Sequence, residues 1–148
     1  MTAPRVALAL AALAVAAACA AGGPRPIAFG TEPCAHCHMT IVDPRHAAVL
    51  VTTTGRQYAF DDPGCLAAFV ADGRVPADRV RGAWFHAFLE PGAVLPAAAI
   101  RLVRSDTLRT PMGSGLVAAR AGAQADSLRR LVGGTVLTWE AARARRGP

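Results

Sequence analysis

HAAVLVTTTGRQYAFDDPGCLAAFVADG, residues 46–73, decides the architecture of this chain. Residues 46–54 have the β-branched, apolar character of a strand, Gly55 offers a turn, and RQYAF at 56–60 alternates polar and apolar side chains. That pattern predicts a hairpin. Asp61 or Asp62 can then cap a helix with Pro63 at its first position, and Leu66, Phe69 and Val70 recur at helical spacing up to Gly73. Beyond it, AWFHAFL at 83–89 reads as a buried strand ended by Pro91-Gly92.

The second half of the chain repeats this order more faintly. Residues 99–103 (AIRLV) and 115–120 (GLVAAR) read as strands, 123–132 as a helix, and 135–139 (TVLTW) as a strand. Two strand-strand-helix-strand units follow one another, although few residues match between them. Helices set against mostly antiparallel strands give an α+β fold. The boundaries expected are a first half at 31–95 and a second at 96–148.

The amino terminus belongs to neither unit. After Arg5, residues 6–21 carry no charged or strongly polar side chain, a run of 16 that is short for a bilayer span but apt for a secretory signal. Ala16-Ala17-Ala18 precede Cys19, an arrangement similar to a bacterial lipoprotein signal. Residues 1–18 are therefore expected to be a signal peptide, with Cys19 lipidated as the first mature residue. Residues 19–30, with their Gly22-Gly23-Pro24-Arg25-Pro26 core, read as a flexible tether. The working part is expected on the periplasmic side of a membrane.

With 148 residues and 53% hydrophobic composition, the chain is too small for a multidomain enzyme. All 16 basic residues are arginines, which excludes lysine Schiff-base chemistry. The net charge is +6, but the arginines are scattered, so nucleic acid is not an expected partner.

Chemistry concentrates in Cys34-Ala35-His36-Cys37-His38-Met39. Of the chain's 4 Cys, 4 His and 3 Met, five fall within these six positions. Three chemistries compete for them. Structural zinc needs four closed ligands, and Cys34-x-x-Cys37 supplies half, leaving His36, His38 or His46 to complete the set. A redox dithiol needs a helix starting at the motif, whereas Thr40-Ile41-Val42 looks extended. Cuprous copper accepts few ligands and favours thiolate with thioether sulfur. Met39 favours that third reading, because its sulfur binds Cu(I) with no proton to displace.

If residues 37–39 are extended, Cys37 and Met39 share a face and His38 takes the other. Cys34 reaches the same ion through a tight turn, and His38 and His36 are the weaker candidates. Met112, on the Pro111-Met112-Gly113 loop, has no evident core to fill and can face the first half's metal segment. Cys65 offers a fourth sulfur, though free cysteines are more commonly small buried residues. His86, Trp84 and Trp139 read as packing.

At this point the chain resembles the NosL family, the lipid-anchored accessory proteins for copper delivery to nitrous oxide reductase. The resemblance rests on Cys19, on Cys34-x-x-Cys37-x-Met39 with Ile41 and residues 43–48 (DPRHAA), and on residues 58–62 (YAFDD) with Cys65. It continues through 111–116 (PMGSGL) and 133–139 (GGTVLTW). The family usually carries glycine where this chain has His38. The resemblance implies a Cu(I) carrier without turnover of its own, handing copper to nitrous oxide reductase or its maturation machinery, on a duplicated fold similar to that of the mercury lyases. It also implies that Cys37 and Met39 form the copper motif, with Met112 as the later methionine.

Overall fold

The computed structural model describes residues 22–144. The expected signal peptide and Cys19 lie outside the described residues. Strands β1 (Ala48–Thr52) and β2 (Gln57–Phe60) form the hairpin, and helix α1 (Pro63–Ala71) follows. Strands β3 (Val80–His86) and β4 (Val94–Pro96) complete a four-stranded antiparallel sheet in the order β2-β1-β3-β4. The second half contains β5 (Ile100–Arg104), β6 (Leu116–Arg120), helix α2 (Ala123–Val132), β7 (Thr135–Leu137) and helix α3 (Trp139–Ala144). Its sheet has the order β6-β5-β7, also antiparallel.

In each half the first strand is central, its hairpin partner lies on one side, and the strand after the helix lies on the other. The α+β duplication expected from the sequence is thus present as topology. The helix start is set locally: Asp62 caps it, its carboxylate accepting from the Gly64 N–H, with Pro63 at the first helical position. Between β1 and β3 the register shifts at Val51/Thr52, where β1 runs into the hairpin turn.

All five residues of β1 are buried: α1 packs against the strand, and Ile27 of the segment before the cysteines joins the same core. That segment corrects the tether expectation. Gln57 exchanges two hydrogen bonds with the Arg25 backbone, at 2.9 and 3.0 Å, and Arg25 pairs with Glu32 at 2.7 Å. From Arg25 onward the chain belongs to the fold.

The halves share a core. Trp139, at the start of α3, sets its ring edge-on to Phe85 of β3 with centroids 5.2 Å apart. The Phe88 N–H donates to the Ala118 carbonyl at 2.8 Å, beside an isolated parallel bridge from Ala87 to Ala118. Helix α1 packs against β1 and β2 on its own side and against β6 and α3 of the other half. Residue 65, in its first turn, therefore sits at the junction.

Candidate metal centre

The cysteine segment folds as a tight hairpin. Pro33 and Thr40 form its bridge, the Cys34 N–H donates to the Met39 carbonyl at 2.8 Å, and the His38 N–H returns to the Cys34 carbonyl at 3.0 Å. The turn closes through His38, whose φ of 65° makes it the one non-glycine left-handed residue among those described. Residues 37–39 are thus not extended, which corrects the shared-face argument for Cys37 and Met39. The hairpin hangs on β2, where the Ala35 N–H donates to the Ala59 carbonyl at 2.9 Å.

This attachment brings Cys34 and Cys37 to the end of β2, where Asp61 follows, and to the first turn of α1, where Cys65 lies. The three Sγ atoms and an Asp61 carboxylate oxygen all fall within 4.8 Å of one another. Cys34, Asp61 and Cys65 are buried and Cys37 is half-buried. Cys65, the weaker of its two sequence readings, is a full member of the cluster. Asp61 does not cap the helix, as Asp62 does; it accepts from the Cys37 thiol at 3.4 Å.

The thiols are electrostatically unequal. The Cys65 S–H donates to Cys34, and the backbone N–H groups of Cys37, Asp61 and His36 converge on the same sulfur, so the Cys34 thiol is held down at about 6. Burial pushes Cys37 up to about 11, and the charge on Cys34 works in the same direction. Cys65 is raised as the donor to Cys34 and by its burial. The fold thus favours loss of the Cys34 proton and opposes loss at Cys37 and Cys65, whose protons a bound metal ion would displace.

His38 stays outside the cluster. It is exposed and lines a shallow cavity with Arg56, Tyr58 and Arg74 on the far side of Cys34. His36 lies on the other side. It lines a cavity of about 240 Å³ with Cys65 and Met112, walled by Leu116, Leu137 and Ala142 from the second half. Met112 thus lines the same cavity as Cys65 of the first half. It is 45% exposed and Met39 is 56% exposed, so neither thioether is a core filler. Asp62, fully buried, ties the Met112 loop to the helix start.

Fold and site together define a class: a small duplicated α+β protein with soft sulfur donors gathered where its halves meet. The same fold occurs in the crystal structure of the copper chaperone NosL from Shewanella denitrificans, 19% identical, with a TM-score of 0.67 over 80% of this chain and 96% of that chain. No protein-family model and no curated protein matches the sequence.

Proposed function

We propose that the protein is a Cu(I)-binding accessory protein, a carrier rather than a catalyst, that supplies copper for the maturation of nitrous oxide reductase. The observation that carries the copper reading is the convergence of Cys34, Cys37 and Cys65 beside a cavity bearing Met112. Thiolates select a soft monovalent ion, and a thioether adds affinity at no cost in protons. The Cys37 thiol donates to Asp61 at 3.4 Å, which fixes the sulfur at the cluster before any ion arrives. Exposed Met39 and Met112 suit release by ligand exchange to another sulfur-bearing protein.

The recipient, the periplasmic site of action and the lipid anchor at Cys19 belong to the same proposal. They are supported by the apolar amino-terminal run that contains Cys19 and by the fold shared with a copper chaperone. A zinc reading has one specific observation in its favour: Asp61 gives the cluster a fourth, hard ligand, and three thiolates with a carboxylate can close around Zn(II).

A single titration separates the two. Reduced protein is mixed with Cu(I), and separately with Zn(II), against chromophoric competitors. The copper reading expects Cys65→Ala and Cys37→Ala each to weaken Cu(I) by at least about tenfold, the loss of one soft ligand. It also expects Met112→Leu to weaken Cu(I) and leave Zn(II) unchanged. Tighter binding of Zn(II) than Cu(I), with Met112→Leu silent toward both, would replace the carrier with a zinc-stabilised module.

A further inference from the structure

Asp62 is a carboxylate with no exposed surface, placed one residue after the cluster's Asp61 and three before Cys65. A buried carboxylate has to be satisfied by donors, and each of its oxygens finds a different set. Oδ1 accepts from the Gly64 N–H at 2.6 Å and from the Ser114 hydroxyl. Oδ2 accepts from the backbone N–H of Met112 at 3.1 Å, a contact spanning 50 residues of chain. One oxygen thus anchors the helix start that presents Cys65, together with the far end of the loop. The other grips the residue that bears the thioether.

The space around this grip leaves little alternative placement for the loop. A side chain at Gly64 would run into Cβ of Ser114, so the loop lies directly on the first turn of α1. Gly113 takes a φ of 69° and Gly115 a φ of 65°, bending the chain on both sides of Ser114. Without the Asp62 contact, the Met112 backbone has no other described hydrogen-bond acceptor to fix it beside the cavity.

We propose that Asp62 is the positioning residue for the thioether arm, its Oδ2 holding the Met112 N–H so that the sulfur meets an ion bound by the cysteines. The proposal rests on the Cu(I) reading given above and names the residue that joins the two halves of that site. It also explains why a buried acid, which is costly to desolvate, stands where a serine or threonine would cap the helix as well. Neither hydroxyl residue offers a second oxygen to reach the loop.

Asp62→Asn is the discriminating variant. Its amide keeps one oxygen for Gly64 and Ser114 and turns an NH2 group toward the Met112 N–H, so the cap survives while the grip does not. Cu(I) affinity is measured by competition for the parent, Asp62→Asn, Met112→Leu and the double variant, with selectively methyl-labelled methionines followed by NMR. Asp62→Asn and Met112→Leu are each expected to weaken Cu(I) by about tenfold, and the double variant to be no weaker than either. In Asp62→Asn the Met112 methyl signal should no longer shift on adding Cu(I). Additive losses, or a Met112 methyl that still shifts, would overturn the proposal. Should Met112→Leu alone have no effect, the thioether reading of the site fails instead, and the two failures are told apart. If Asp62→Asn does not fold, Gly64→Ala carries the same test, because it pushes the loop off the helix and leaves Asp62 intact. Retention of full Met112 dependence in Gly64→Ala would equally overturn the proposal.

Discussion

His38 shows what a single residue in the left-handed region does to a site. Its φ of 65° closes the turn that follows Cys37, and its side chain is exposed. A side chain at such a φ costs about 1–2 kcal/mol, whereas glycine adopts it freely at an entropic cost of about 0.5–1 kcal/mol. His38→Gly is therefore expected to raise stability by up to about 1 kcal/mol while leaving Cu(I) affinity within about twofold. Urea unfolding of the reduced protein and a competition titration check both parts. A tenfold loss of affinity would return the imidazole to the ligand set. The sequence singles out Cys34, Cys37 and Met39 because their residue types and spacing are unusual over a short range, and Met112 because it sits on a Pro/Gly loop with no evident core to fill. It does not reveal that Cys65 joins them, since that contact depends on the hairpin docking through Ala35 onto β2, a pairing between segments more than twenty residues apart. Asp61 escaped notice for a related reason. Two adjacent acids precede Pro63, either can cap, and only the fold frees one of them for Cys37.

Among the elements, the two longer helices and the strands of four or more residues are read near their observed spans, and a three-residue edge strand is not. Helix α2 occupies the 123–132 span expected, with Ala125 and Leu128 buried and its charges outward. Helix α1 also starts at Pro63 as expected, although it is apolar on most sides because both halves of the molecule cover it. Strand β4 went unread: three residues, one of them proline, at a sheet edge have no alternation to detect. The expected strand at 135–139 stops at Leu137 because Thr138 accepts the Ala141 N–H through its hydroxyl and starts α3 instead. Trp139 thereby leaves its own sheet and packs on Phe85 of the other. Trp139→Ala should cost about 3–5 kcal/mol, the range for emptying a buried aromatic site. A shift in the urea midpoint measures it, and a loss below 1 kcal/mol would mean that the halves do not depend on this contact.

At the scale of the whole molecule, the halves are joined at two ends. One end is the cysteine cluster with the Asp62 contact to the Met112 loop. The other is Glu90, after β3, which accepts from Arg120 of β6 at 2.7 and 2.9 Å and from Gln124 of α2 at 2.7 Å. The Arg120 guanidinium, helped by Gln124, holds the Glu90 carboxyl down at about 2. A carboxyl lowered by folding stabilises the native state above its ordinary value near 4.5, and that contribution disappears as pH falls from there through about 2. Glu90→Gln should therefore lower the thermal midpoint at pH 7, and the difference from the parent should shrink steadily between pH 4.5 and 2. Thermal melts across that range test the linkage. A gap that stays constant with pH would show that the charge on Glu90 contributes nothing to the joint.

The placement of α3 bears on when, during the life of the polypeptide, the site comes into being. Every sulfur ligand candidate has been synthesised by residue 112, yet Leu137 and Ala142 still have to arrive to wall the cavity, and Trp139 to lock the halves together. A growing chain halted before that point owns a full set of donors without a receptacle. A molecule clipped ahead of Thr138 would keep every sulfur donor and lose Ala142 from the cavity wall and Trp139 from the core, and should behave as a loose collection of thiols.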